Sequence, residues 1–515
     1  MRLGRDSHRT LWLLGVPLAA CLALTIAGCP QPGGGGGGGT GNSGLTGKYI
    51  GSTACKTCHG TAHSEWSETL HATALESLEE IGQGSNAACV GCHTVGFGEA
   101  GGFANRATTN DLAGVGCEAC HGAGADHQRW ATVSQNVHVR FKGVACQGCH
   151  GPNASIPLDL STQNVMSRNL SSSVCGRCHQ SEHHPTYEDW QESRHSQIDE
   201  HVFSYFTAGN NAATCGVCHS GDYFYWAKIQ NQTSYIDMKT GTQVTVGNAM
   251  LAGKTVDQMT KIECAICHDP HAKTGKAIQP EDGRDYQLRF DQIKFTTPSN
   301  NLAAAQDPTR FNICGQCHHA RDRVWTDGSR EPHPSDQINV FFGEMPLPAS
   351  DPTPIVANRP SVHLGAPEQC STCHVYRRPL VEGIAPAVSG HTFEVNFAGC
   401  VSSGCHQSET IAQAKFTGLK IEMDGRAAAV KAALDAWGTA HPLEGKGALS
   451  WEYTSEGGPS SAGQAKIPPA IKKARYIYYY VIAGGGNGVH NPDYVREGLI
   501  NALAYVNTNP DLLPY

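Results

Sequence analysis

Nine times this chain repeats Cys-x-x-Cys-His, beginning at Cys55, Cys89, Cys117, Cys146, Cys175, Cys215, Cys264, Cys314 and Cys370. With 22 Cys and 26 His among 515 residues, shuffling would give the pattern about 0.05 times. It is the attachment signal of c-type haem. Two thiols add across the two vinyl groups of one porphyrin, so the second cysteine is Cys58, Cys92, Cys120, Cys149, Cys178, Cys218, Cys267, Cys317 and Cys373 in turn. The next residue turns under the ring to bind iron: His59, His93, His121, His150, His179, His219, His268, His318 and His374. Zinc ribbons also use C-x-x-C, but they need two such pairs per metal and no histidine fixed after each. A disulfide scaffold, the usual reading of so many cysteines, does not account for the spacing.

One stretch is looser. "CVSSGCH" (400–406) places four residues between Cys400 and Cys405, with His406 following. Either two residues loop out and a tenth haem is held, with His391 upstream as its companion, or Cys400 and Cys405 form a disulfide. The haem reading accounts for both histidines; the disulfide accounts for neither.

The N-terminus carries Arg2, Arg5 and Arg9, then an apolar run from Leu11 to Ala27. This is a signal peptide, too short and wrongly flanked for a stable membrane span. Its end, Ile26-Ala27-Gly28-Cys29, looks like a bacterial lipobox, which implies acylation of Cys29; an ordinary signal with an incidental cysteine is the alternative. A Gly-rich tether follows, a flexible coil spanning roughly 20–25 Å on average. The formal charge of −8 argues against a nucleic-acid surface, which would be basic.

The expected divisions are a signal peptide (1–28), a tether (29–47) and three haem modules (48–160, 161–300 and 301–406). A helical C-terminal region (407–515) completes them. The first motif starts are 34, 28, 29 and 29 residues apart, a repeat built around cofactors. "EWSETLH" (65–71) and "DWQESRH" (189–195) form a second repeat, in which the tryptophan can lie against one porphyrin while the histidine reaches another. Residues 233–246 suggest a small hairpin; 152–173 and 332–360 read as loops. Residues 408–440 and 466–483 are helix-prone, and Asn491-Pro492 suits the start of a last helix. The tyrosines at 476–480 read as helix packing. Hydrophobic residues make up 39%, modest for this length, with haems supplying the missing core.

"CHG…EWSETLH", "CEACHGAGADH", "YEDWQESRH", "ECAICHDPHA" and "GVHNP" resemble the cytochrome c-554-like multihaem superfamily, which includes octahaem oxidoreductases and polymerising extracellular cytochromes. The resemblance implies a mostly α fold with extensive coil, a multihaem cytochrome c built around stacked covalent haems. It implies distal iron ligands at His71, His195, His127 and His271. By position, His333, His363, His391 and His490 join them, and His138 and His201 complete ten. His63, His183, His184, His319 and His441 are expected to be bystanders.

With a histidine on both faces of each iron, the leading expectation is a lipid-anchored decahaem electron carrier at the outer membrane, cell surface or periplasmic face. It would run between periplasmic or quinol-linked donors and an outer acceptor. The alternatives are an oxidoreductase of the hydroxylamine oxidase, nitrite reductase or tetrathionate reductase type with one open haem, and a subunit of an extracellular filament. No motif ends in Lys, and no haem is visibly short of a ligand.

Overall fold

The computed structural model describes residues 48–56, 59–125, 171–209, 211–236, 243–276, 283–294, 312–321, 323–381, 384–483 and 488–508. The signal peptide, the tether and Cys29 lie outside the described residues. So do Cys58, the whole Cys146 motif with Cys149 and His150, and His127 and His138. The chain from Thr46 to Tyr515 forms one compact unit.

Regular structure around the described cysteine motifs is short, most of them occupying about one helical turn. Helical turns at Cys117–His121 and Cys370–His374 and 3-10 turns at Cys175–Arg177 and Cys314–Gln316 are representative. The backbone N–H of the motif histidine returns to the carbonyl of the first cysteine, at 2.9 Å for His59, His268 and His318 and 3.0 Å for His179. Helices α1 (Gly60–Trp66) and α2 (Thr186–Glu192) carry the two repeated tryptophans. The expected hairpin is present: β1 (Ser234–Ile236) pairs antiparallel with β2 (Gln243–Thr245), Tyr235 opposite Val244. Trp226 stacks on Tyr235 at 4.1 Å.

Residues 332–360, expected as loop, contain a helix at Gln337–Phe342. Ile338, Phe341 and Phe342 are buried there with Ile293. Flanking prolines conceal it in the sequence; tertiary burial of one short apolar run forms it.

The C-terminal region carries the largest apolar core. Ser408 caps α3 (Glu409–Ala440) by accepting from the Ile411 N–H, and α4 (Pro469–Ala483) and α5 (Pro492–Thr508) pack against it. Asn491 opens α5 as expected: its Oδ1 accepts from Tyr494 N, while its Nδ2 donates to Val340 O and Arg359 O. The tyrosines of α4 fasten the bundle to the segment 323–344. Tyr476 donates to Arg323 O at 2.9 Å and Tyr480 to Glu344 O at 2.6 Å. Arg475 is fully buried; its Nη1 and Nη2 donate to the carbonyls of Trp451, Glu452 and Asp327 and to Gln464 Oε1, its guanidinium lies over the Tyr453 ring, and its Nε alone has no partner. A buried cation is tolerable only when hydrogen-bonded in this way. Among the described residues, no helix is long and apolar enough to cross a membrane.

Two outcomes follow. Leu434, fully buried on α3, leaves a cavity as Leu434→Ala; stability in urea should drop by about 2–5 kcal/mol with haem content unchanged. Glu452 accepts from Tyr479 at 2.8 Å, and burial pushes its carboxyl up to about 7 from 4.5. A raised folded pKa favours the protonated folded form, so stability should fall as pH rises from 4.5 through about 7. Glu452→Gln should flatten that part of the pH–stability curve.

Candidate haem-binding sites

No disulfide joins the cysteines of the described motifs, which leaves their sulfurs for the vinyl groups of haem. Three motif histidines are oriented by their inner ring nitrogens. Nδ1 meets the backbone carbonyl of Ala74 for His93, Tyr286 for His268 and Phe393 for His374, at 2.7–2.8 Å. A donated Nδ1–H fixes the tautomer and leaves Nε2 for a metal.

Opposite these histidines stand others. Ring centres are 6.1 Å apart for His179 and His71, and 6.0 Å for His121 and His271. The distance is 6.2 Å for His318 and His195, and 6.4 Å for His219 and His333. It is 6.2 Å for both His268 with His391 and His374 with His490. Two imidazoles on one metal, each with a bond of roughly 2 Å and about 1 Å from nitrogen to ring centre, put ring centres about 6 Å apart. The arrangement therefore fits an iron between each pair. His363 lies within electrostatic reach of His406. Burial lowers His179, His195, His391 and His490 to about 4 and His333 to about 3. They are held uncharged, as a ligand nitrogen must be.

The remaining candidates are placed differently. His201 is exposed on its helix and pairs with Tyr205, ring centres 5.3 Å apart. His63 packs edge-on against Trp66 and His441 stacks on Trp437. His319 is buried, and its Nδ1 accepts from Arg321 N. His184, expected as a bystander, has its ring 6.2 Å from His179 and within reach of His93.

In "CVSSGCH" the His406 N–H again returns to the first cysteine's carbonyl, Cys400 O, at 3.2 Å. The extra residues are absorbed by a bend through Gly404, whose φ of +77° suits glycine. Cys400 Sγ and Cys405 Sγ are not bonded, and Cys400 Sγ lies 4.0 Å from Cys373 Sγ of the preceding motif.

Thiols of different motifs meet in the same way elsewhere: Cys55 with Cys117, Cys92 with Cys178, Cys175 with Cys264, Cys218 with Cys317, and Cys314 with Cys370. The repeated tryptophans explain two of these meetings. Trp66 Nε1 donates to Val115 O and Trp190 Nε1 to Ile262 O, each at 3.0 Å and each two residues before a motif. Ser52 Oγ accepts from Cys117 N and Ser172 Oγ from Cys264 N. The same bonds appear twice, so the segment running from Cys55 to Cys117 and that from Cys175 to Cys264 are structural repeats.

Residues 54–122 match the family described as cytochrome c554 and c-prime. Over 100 residues the chain is 37% identical to cytochrome c-554 of Nitrosomonas europaea, covering 16% of this chain and 43% of that one. It thus spans less than half the length of this curated relative. The undecahaem cytochrome from the S-layer of Carboxydothermus ferrireducens aligns with a TM-score of 0.50 at 18% identity, covering 90% of this chain and 70% of that one. The outer cell wall cytochrome OcwA aligns with a TM-score of 0.49 at 20% identity, over 89% of this chain and all of the other. The fold is mostly helix and coil, as in multihaem cytochromes.

Removing one member of an opposed pair tests the geometry. In His490→Ala holoprotein, one haem should become high-spin and bind CO after reduction, with attached haem unchanged in the mass spectrum. An unaltered low-spin spectrum would show that His490 is no ligand.

Proposed function

We propose that this multihaem c-type cytochrome is an exported electron conductor carrying ten haem c groups, nine on Cys-x-x-Cys-His motifs and one on Cys400, Cys405 and His406. The reading rests on the opposed imidazoles, six pairs among the described residues with ring centres 6.0–6.4 Å apart. An iron held on both faces has no position left for a substrate. Bound haem c supplies a one-electron iron couple whose potential follows axial ligation, hydrogen bonding and burial.

The polypeptide contributes spacing, orientation and exclusion of water. Motif thiols lie against one another, which supports a continuous order of attachment sites at Cys55, Cys117, Cys175, Cys264, Cys314, Cys370 and Cys400. Two joins in that order rest on closeness alone: Cys120 lies near Cys175 and Cys178, and Cys267 near Cys314 and Cys317. The Cys89 motif stands beside the Cys175 motif and the Cys215 motif beside the Cys314 motif, as side branches. The carbonyls that meet Nδ1 of His93, His268 and His374 keep those ligands basic and fixed.

The modules at 48–160, 161–300 and 301–406, closed by the helical region 407–515, are the units of this conductor. Export by the signal peptide and a lipid on Cys29 suit a conductor held near a membrane by its Gly-rich tether. Its partners are then redox proteins, a donor on the cell side and an acceptor farther out.

The ferric holoprotein should give low-spin haem throughout, bind no CO on reduction, and show ten added macrocycles by mass. Cys400→Ala with Cys405→Ala should remove one haem and leave nine. Substantial high-spin haem in the unaltered protein would reject the carrier reading; ten haems in the double variant would reject the tenth site.

A further inference from the structure

Attached haem and double histidine ligation, as proposed above, leave the Cys89 motif without a stated second ligand. His93 is anchored through Nδ1 to Ala74 O at 2.7 Å, so its Nε2 is the ligating atom. The structural repeat says where its counterpart should come from.

Each repeat hands a ligand forward. The histidine ending the first tryptophan segment, His71, faces His179, which opens the second repeat. The corresponding His195 faces His318, which opens the next group of motifs. The backbone around both is held alike, with Val115 N donating to His71 O at 2.7 Å and Ile262 N to His195 O at 3.2 Å. The middle motif of each repeat also leans forward, against the opening motif of the following group. Cys92 meets Cys178, and Cys218 meets Cys317.

In the second repeat the middle histidine, His219, is faced at 6.4 Å by His333, which follows the opening histidine His318 of the next group. The equivalent for His93 must therefore follow His179. Within fifteen residues, the separation of His318 from His333, two histidines follow His179: His183 and His184. The turn after the motif, closed by His184 N donating to Ser181 O and Tyr187 N donating to His179 O, brings the His184 ring 6.2 Å from His179. The backbone around His184 matches that around His333: Thr186 N donates to His184 O as Ser335 N does to His333 O, each at 2.8 Å, and Tyr187 N donates to His179 O as Ile338 N does to His318 O. His179 is already served by His71, as His318 is by His195, which frees His184 for the neighbouring iron.

We propose that His184 is the second axial ligand of the haem on the Cys89 motif. That site is then closed, and it takes no exogenous ligand.

The test uses haem-loaded full-length variants, read by ferric EPR and by CO bound per chain after reduction. His184→Ala should add one high-spin haem and one bound CO per chain, while His183→Ala should match the parent. His184→Met should stay low-spin with one haem shifted to higher potential, which covers the case of an unstable alanine variant. In a Cys89→Ala/Cys92→Ala background, which lacks that haem, His184→Ala should add nothing. A further high-spin haem there would reassign His184 to the Cys175 motif and overturn the proposal. So would an unchanged spectrum for His184→Ala when His333→Ala, the control, opens one haem. If His333→Ala also changed nothing, the double-histidine reading itself would fail.

Discussion

Two imidazoles facing each other about 6 Å apart are the constraint on which the rest of this molecule turns. That is a distance at which both nitrogens can hold one metal. Burial lowers the pKa of one ring or both in each pair, and backbone carbonyls orient His268 and His374 through Nδ1. Pre-set geometry of this kind lowers the ordering cost of binding.

The constraint explains where ordinary hydrophobic packing is found. The largest apolar cluster joins α3, α4 and α5 to the segment around Trp325, Val340 and Ile355. Around the motifs the clusters are small, as with Leu75, Val90 and Leu112. A porphyrin is a large apolar plate, and a chain that wraps several needs little else between them. The C-terminal bundle anchors this arrangement through Tyr476, Tyr480 and Asn491, all bonded to carbonyls of 323–359. It also delivers His490 opposite His374.

The repeat gives the arrangement its direction. Trp66 and Trp190 each brace a distant motif through one indole hydrogen bond, and the histidine five residues on reaches into the next group. The repeated Trp–His segments were visible as a pattern, and each was expected to touch two porphyrin sites. Which two was not visible. His184 was expected as a bystander, since nothing in its neighbours distinguishes it from His183; its position beside His179 depends on the turn closed by Tyr187. The helix at Gln337–Phe342 was hidden for a related reason, since short apolar runs between prolines gain structure only from what they pack against.

Attachment chemistry was readable from the chain alone, because two thiols and a histidine on one porphyrin must lie within a few residues of one another. The long C-terminal helices and the Asn491–Pro492 start were readable for the same local reason, being set by propensity and capping. Which histidines face one another was decided by tertiary structure. His71 and His179, or His195 and His318, are more than a hundred residues apart. Their meeting depends on how repeats stack, which spacing along a chain does not encode.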